Sequence, residues 1–285
     1  MDSGSVVCGR NKGVMMIAEE STAWPKVTGS PEDDGLGFTL KWNMGWMHDF
    51  TEYMKLDPYF RKNAHHMMTF SMEYAYSENY ILVLSHDEVV HLKCSMLNKM
   101  PGEGWDKFRN LKAAYAFMMG HPGKKLLFMG QEFAQLREWS EERELDWFLL
   151  AEEPHQQIQN WYKDLLHLYK KNKALYELDN DPKGFDWINK DDIFRSIFSF
   201  IRHSRDGKKN LLFVCNFTPV DRPDYRVGVP RRKQCKLVLN SDETKYGGSG
   251  EERPLVYKPE KQECDGQKYS FAYPLPGYGV AVFEY

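Results

Sequence analysis

Two neighbouring carboxylates follow a short apolar stretch near the beginning of the sequence. The run Val14–Ala18 is apolar and leads directly into Glu19 and Glu20, with Ser21 and Thr22 behind them. A short apolar run beside helical segments is typical of a strand that is buried on both faces of a parallel sheet. A carboxylate at the end of such a strand must be paired, hydrated or in use, and the carboxyl ends of parallel barrel strands carry the chemistry of that fold. The stretch therefore predicts a candidate acid site.

Only one of the two carboxylates can face the axis of a barrel, because adjacent strand residues point to opposite faces of a sheet. We expect one of Glu19 and Glu20 to do chemistry and the other to be structural. The stretch alone is also consistent with two solvated loop carboxylates that cap the next helix.

The same arrangement recurs further along the chain. The apolar run Tyr80–Leu84 predicts a strand and is followed by Ser85, His86, Asp87 and Glu88. Because the carboxyl ends of parallel strands meet at one edge of a sheet, these polar residues and the Glu19–Glu20 pair are expected at the same edge.

The elements that must position these residues fall into two groups. Residues 38–44 and 125–129 predict two further strands, and a helical turn at 47–54 and apolar stripes at 105–118 and 158–169 predict helices, which gives four strand–helix units before residue 176. The period of the pattern then changes from 3.6 to 2. It predicts a hairpin of residues 194–202 and 211–216 around Asp206-Gly207, and short strands at 235–239, 268–273 and 279–283. We divide the chain into residues 1–176 and a separate all-β domain, residues 177–285.

The composition of the chain argues against some classes of binding partner. The 285 residues carry a net charge of -3, which gives no electrostatic footprint for nucleic acid or an anionic membrane. Aromatic residues make up 14% of the chain, and flat rings suit sugars. The five cysteines lack any CxxC spacing and predict reduced thiols in the cytoplasm. Since no run of about 18 apolar residues and no apolar signal core occur, we expect neither a membrane span nor export.

Several longer strings in the right order carry a resemblance to a known family. They are Ala18–Thr22, Lys41–Asp49, Leu84–His91, Leu127–Gln135, Glu138-Trp139, Leu145–Trp147 and Asn216–Val220. With them, the sequence from about Val6 to its end resembles the 1,4-α-glucan (glycogen) branching enzymes of the α-amylase superfamily.

The resemblance implies an α/β fold, the second half of a (β/α)₈ TIM barrel (strands five to eight), followed by an all-β sandwich. It implies that Glu19 is the general acid/base, that Asp87 holds the sugar hydroxyls and steadies the transition state, and that His86 hydrogen-bonds the sugar beside it. Glu20 and Glu88 are carried over as neighbours without a catalytic role.

One part of the family pattern is missing from the sequence. The nucleophilic Asp of strand four, its neighbouring Arg and the sugar-contacting residues of strand three do not occur before Val14. We interpret the chain as a C-terminal portion of a branching enzyme: a fragment, a truncated product or one half of a split protein. On this interpretation the chain alone is inactive, and the N-terminal half is a possible partner.

The implied reaction cleaves an α-1,4 linkage of a glucan and transfers the chain to a 6-hydroxyl with retention. Retention requires two displacements, with the nucleophile and the acid/base about 5–5.5 Å apart. An acid at an apolar strand end beside another carboxylate is expected to have a raised pKa, which suits Glu19 to this role. Trp42, Trp46 and Trp139 are candidate platforms for the acceptor glucan; the alternative is that these rings pack between loops and barrel.

Other functions stay open at this point. The chain also fits a non-catalytic glucan-binding or accessory module. An α-amylase-like hydrolase fits the residues shared across the superfamily but not the strings Ala18–Thr22 and Asn216–Pro219. No cofactor is expected, and no metal, because His86 and His91 lack the spacing of helical zinc ligands. Arg137 is a candidate substrate contact or a surface ion pair, and Glu132 a sugar ligand or a buried anchor.

Overall fold

A parallel sheet flanked by helices forms the first half of the chain. The computed structural model describes residue 7 and residues 9–285, so the predicted tail Met1–Ser5 and the predicted thiol of Cys8 lie outside the described residues. The strands are β1 (Ile17–Ala18), β2 (Leu40–Trp42), β3 (Tyr80–Leu84) and β4 (Lys124–Leu127), side by side in chain order. The helices are α1 (Met44–Lys55), α2 (Met96–Lys99), α3 (Trp105–Gly120) and α4 (Glu153–Lys171).

The first strand is much more exposed than the sequence predicted. Met15 is 63% and Ile17 42% exposed, and only Ala18 of the β1 pair is buried. The prediction of a strand buried on both faces is wrong here, because β1 lies at the edge of the sheet and, within the described chain, pairs with β2 alone. The connection from β1 to β2 is a loop with one 3-10 turn, Pro31–Asp33, because residues 24–37 are rich in turn formers, so the first of the four strand–helix units contains no helix.

The second half of the chain is all-β. Its strands are β5 (Phe185–Asp192), β6 (Ile197–Arg202), β7 (Leu211–Asn216), β8 (Arg222–Val229), β9 (Cys235–Asn240), β10 (Val256–Tyr257), β11 (Tyr269–Leu275) and β12 (Val280–Glu284). Six of them form an antiparallel sheet in the order β10-β9-β12-β7-β6-β5, and β11 pairs with β8. The β6–β7 hairpin confirms the predicted one. Residues of both sheets, among them Ile201, Val227 and Phe271, share one hydrophobic core.

The two halves of the chain also share a core. Phe117 of α3 packs edge-on against Phe198 and Phe200 of β6, with ring centroids 5.8 Å and 5.7 Å apart. At the end of α3 a Cβ at Gly120 would lie 2.8 Å from the Phe200 ring, so glycine permits this close approach. The division at residue 176 stays a prediction, and it falls beside a continuous hydrophobic cluster.

None of the described helices has both the length and the apolar character that crossing a membrane requires.

Candidate functional site

Glu20, the second carboxylate after β1, is bound on two sides. Its Oε2 lies 2.8 Å from the ammonium of Lys41, and its Oε1 accepts a hydrogen bond of 2.7 Å from the backbone N–H of Thr22. The hydrogen bond from Lys41, followed by those from Thr22, lowers the pKa of Glu20 to about 2. Lys41 is itself buried on β2 and also donates to the carbonyl of Thr22 over 3.1 Å. Glu20 therefore ties the loop after β1 to the neighbouring strand.

Glu19, the first carboxylate, has different surroundings. Its side chain is exposed and makes no hydrogen bond or ion pair with any residue in the described part of the chain. The apolar surroundings predicted for it are absent here, because β1 is an edge strand. The two glutamates thus differ: Glu20 is engaged by its neighbours and Glu19 is exposed, while a chemical role for either one stays a prediction.

A capped turn follows β3 and carries Asp87. The hydroxyl of Ser85 accepts from the backbone N–H of Asp87 over 3.2 Å, and the carboxylate of Glu88 accepts from the backbone N–H of Ser85. Glu88 is buried by this reciprocal cap, whereas the side chains of His86 and Asp87 are 43% and 45% exposed and lie 3.2 Å apart. The turn thus presents His86 and Asp87 outward and uses Glu88 to hold its own backbone.

Two aromatic rings lie beside His86. Its ring centroid is 5.9 Å from that of Phe128 and 6.3 Å from that of Trp139, and Phe128 and Trp139 meet edge to face at 5.0 Å. Trp139 is half-buried, so it both packs here and keeps part of its ring accessible.

Glu19 and Asp87 each follow a strand of the same sheet, but they are not level with each other along it. The paired rows run from Ala18 through Lys41 to Tyr80, so β1 ends level with the first residue of β3. With β2 between them, the axes of β1 and β3 are about 10 Å apart at the usual spacing of strands. No hydrogen bond or ion pair joins the two carboxylates among the described residues, and their joint action in one site stays a prediction.

The three candidate tryptophans differ in their surroundings. Trp42 is half-buried and lines a groove of about 510 Å³ together with Glu20 and the exposed Trp24. Trp46 is only 2% exposed and stacks on Phe50 at 4.6 Å. The prediction of Trp46 as a substrate platform is therefore wrong, because the ring belongs to the core and has no free face. Trp42 retains one.

The structure also gives Arg137 a partner. Arg137 pairs with the buried Asp146, an interaction whose hydrogen bonds raise the pKa of Arg137. Among the described residues no cluster of three or more His, Cys, Asp or Glu side chains is suited to a metal ion. Sequence reasoning missed Lys41, although a lysine inside an otherwise apolar strand is a signal that a carboxylate lies nearby.

The fold and the C-terminal half define the class of protein. Residues 187–285 match the family model described as the alpha amylase C-terminal all-beta domain. The fold is shared with an alpha-amylase from H. orenii, at a TM-score of 0.59 and 17% identity over 96% of this chain and 54% of that one. It is shared also with a type I pullulanase from Bacillus subtilis, at a TM-score of 0.64 and 14% identity over 99% and 41%. Residues 187–285 thus match the alpha amylase C-terminal all-beta domain, and the chain shares its fold with these two enzymes.

Sequence similarity narrows this class. The chain is 58% identical over 281 residues to the 1,4-alpha-glucan branching enzyme GlgB of Butyrivibrio fibrisolvens, covering 99% of the chain and 44% of the relative. It is 48% identical to GlgB of Halothermothrix orenii, over 95% of the chain and 43% of the relative. The resemblance to the 1,4-α-glucan branching enzymes is confirmed, and the chain spans less than half the length of these relatives.

Proposed function

We propose that the chain supplies the second half of the catalytic barrel of a 1,4-α-glucan branching enzyme, residues 1–176, and its all-β domain, residues 177–285. The parallel order β1-β2-β3-β4 supports consecutive barrel strands, because such a barrel is built from neighbouring parallel strands joined through its outer layer. The antiparallel sheets from β5 onward support the sandwich. A cytoplasmic location belongs to the same proposal.

One observation carries the proposal: two outward-facing carboxylates follow alternate strands of a single parallel sheet. Glu19, unpaired among the described residues, is available as the acid that protonates the leaving oxygen and then as the base that activates the acceptor hydroxyl. Asp87, with His86 3.2 Å away, is placed to bind sugar hydroxyls in the transition state. Glu20 cannot replace Glu19 as the acid that protonates the leaving oxygen, because its pKa of about 2 keeps it ionised.

An α-1,4-glucan fits the surface beside these residues. The groove lined by Trp42 and Trp24 offers ring faces on which a glucose unit can stack, with the hydroxyls of Ser21 and Thr22 at its wall. We propose this groove as the acceptor side of the site, with Trp42 as its platform. Trp46 is not part of it.

The nucleophile of the double displacement is not assigned to any described residue. The segment that carries the family's nucleophilic Asp does not occur before β1, so a covalent glycosyl intermediate requires a carboxylate from outside this chain. We propose that the portion of the relatives that this chain does not match provides it.

The proposal is tested by an iodine-staining branching assay with amylose. The 285-residue chain is assayed alone and after co-expression with the unmatched portion of the B. fibrisolvens relative. We expect no branching by the chain alone and branching by the co-expressed pair. Branching by the chain alone contradicts the assignment of the nucleophile, and its absence from a pair that co-purifies contradicts the proposed function.

A second candidate is favoured by the exposure of Glu19. A carboxylate without a described catalytic partner is also consistent with a non-catalytic glucan-binding module. Retardation of the chain by glycogen in affinity electrophoresis, combined with an inactive co-purified pair, supports this candidate. Release of reducing sugar by the pair without new branches instead identifies an α-amylase-like hydrolase.

A further inference from the structure

The loop that follows Asp87 has a conformation that needs external support. Residues 89–95, here called the 89–95 loop, contain two non-glycine residues in the left-handed region, Leu92 at φ 66° and Cys94 at φ 64°. Side chains other than glycine and asparagine adopt this region rarely, because Cβ approaches the following carbonyl. Leu92 is 83% exposed, so burial of its own side chain does not stabilise the loop.

A carboxylate binds the loop from one side. Glu138 accepts a hydrogen bond of 2.7 Å from the backbone N–H of Cys94 and one of 3.1 Å from that of Leu92. These are the N–H groups of the two left-handed residues. The same backbone hydrogen bonds lower the pKa of Glu138, with that from Cys94 as the largest cause.

An ammonium group binds the loop from the other side. Lys99 at the end of α2 is buried, and its Nζ donates to the backbone carbonyls of Lys93 and Cys94. The N–H groups of the loop therefore face an anion and its carbonyl groups face a cation. The negative charge of Glu138 is stabilised by N–H donors, and the positive charge of Lys99 by carbonyl acceptors.

Backbone hydrogen bonds connect the segment around Glu138 to the turn that carries Asp87. The backbone N–H of Trp139, next to Glu138, donates to the carbonyl of Val89 over 2.8 Å, and the N–H of Val89 donates to the carbonyl of His86 over 2.9 Å. Asp87 also lines one groove of about 510 Å³ with Leu92, Lys93, Cys94 and Lys99, so the loop forms a wall of the space in front of that carboxylate.

We propose that Glu138 and Lys99 are positioning residues for Asp87: together they clamp the 89–95 loop and fix the wall of the groove into which Asp87 projects. The inference rests on the proposed function for the role of Asp87. The clamp itself rests only on the contacts above, and it has a readout that needs no substrate. Fixed surroundings favour a carboxylate that stabilises the positive charge of the transition state, because a small displacement of such a group lowers the reaction rate strongly.

Residue-resolved amide hydrogen exchange of the 285-residue chain tests the clamp directly. In the unmodified chain, the amides of Leu92 and Cys94 are expected to exchange slowly although both residues are exposed. Glu138→Ala is expected to raise their exchange rates by about tenfold or more, because local opening then meets less resistance. Glu138→Gln keeps one acceptor oxygen and is expected to give an intermediate rate. Glu141→Ala, in the neighbouring exposed charge run, is the matched control and is expected to change nothing.

The consequence for Asp87 is tested in the co-expressed pair. There Glu138→Ala is expected to lower kcat for branching by about tenfold or more with KM for amylose nearly unchanged, and Glu138→Gln to recover part of it. Loop exchange that rises while kcat stays at the level of the unmodified pair contradicts the positioning role.

A second variant tests the clamp if Glu138→Ala does not fold. Lys99→Met releases the carbonyl side of the same loop and is expected to give the same rise in exchange. Amides of Leu92 and Cys94 that exchange at the rate of a free peptide in the unmodified chain overturn the clamp without any substitution. Because exchange is measured without glucan, an inactive pair contradicts the proposed function and leaves the test of the clamp intact.

Discussion

Two adjacent glutamates, Glu19 and Glu20, show how strongly the environment separates residues of one type. They follow the same strand, and yet Glu20 binds Lys41 and Thr22 while the side chain of Glu19 makes no hydrogen bond or ion pair with the residues described around it. The alternation of a strand predicts such a difference in direction. Which of the two faces the lysine is decided by the neighbouring strand, β2, and the residue pattern of β1 alone contains no information about it.

Replacement of Glu19 by Gln is predicted to remove most of the branching activity. In the co-expressed pair we expect Glu19→Gln to lower the rate about 10²–10⁴-fold, because general acid–base catalysis contributes about that much. The rate is measured by iodine staining of amylose at neutral pH. Glu20→Gln, one position further on, is the matched comparison and is expected to keep most of the activity. An equal loss in both variants refutes the assignment of Glu19 as the proton donor.

Glu20 is predicted to stabilise the chain in a way that depends on pH. Its pKa falls from the ordinary 4.5 to about 2 in the folded chain, so the folded state binds a proton less readily than the unfolded state does. The stabilisation is therefore present above pH 4.5 and is lost as the pH falls through about 2. Urea unfolding of the unmodified chain and of Glu20→Gln should differ at pH 7 and converge toward pH 2. A difference that grows with acidification would falsify this explanation.

At the scale of the element, sequence patterns predicted best those strands that are buried between two neighbouring strands. β3 was predicted with its observed bounds, Tyr80–Leu84, because its apolar run is buried between two neighbouring strands. β1 has an equally apolar run, but only two of its residues form a strand, since a sequence pattern does not reveal that an edge lacks a partner. β5 and β8 were missed because their charged residues and Pro223 interrupt the alternation.

In the candidate site, too, the sequence predicted only those features that leave a local pattern. The sequence placed Asp87 and His86 at the end of a strand, because polar residues directly after an apolar run carry that information. It did not separate Trp42 from Trp46, because both lie near the junction of β2 and α1. Nor did it point to the 89–95 loop, whose left-handed residues and distant partners Lys99 and Glu138 leave no local pattern.

The pair of tryptophans is predicted to separate stability from glucan binding. Trp46→Ala should lower the free energy of unfolding by about 3–5 kcal/mol, because it leaves a cavity beside Phe50 in the core. Trp42→Ala should lower it by about 1 kcal/mol or less, since the ring is half-buried. Urea denaturation measures both values. Affinity electrophoresis in glycogen should show weaker retardation for Trp42→Ala than for the unmodified chain, and unchanged retardation argues against the platform.

At the scale of the whole molecule, the two halves are joined by a core and by buried charge. Arg202 of β6 is fully buried and donates to the carbonyl of Gly120 at 2.9 Å and to the carboxylate of Asp179 at 2.7 Å. Burial alone would raise the pKa of Asp179, but the charges of Lys125, Arg202 and Lys124 outweigh it and hold that pKa below its usual value. One guanidinium thus binds the end of α3 and the segment that enters β5.

Removal of this guanidinium is predicted to destabilise both halves together. Arg202→Met leaves Asp179 buried with fewer partners and should lower the free energy of unfolding by about 3–5 kcal/mol, the usual effect of breaking a buried ion pair from one side. Arg205→Met, at an exposed position nearby, is the control, with a change in the free energy of unfolding within about 0.5 kcal/mol.

Two probes can follow the two halves separately in the Arg202→Met variant, since all tryptophans except Trp187 precede residue 177. Tryptophan fluorescence therefore follows mainly the first half in urea, and hydrogen exchange of β7 follows the second. Because the core is continuous, both transitions should move by the same amount in Arg202→Met. A shift confined to one probe would show that the halves unfold independently, and that the buried charge stabilises only the half in which it lies.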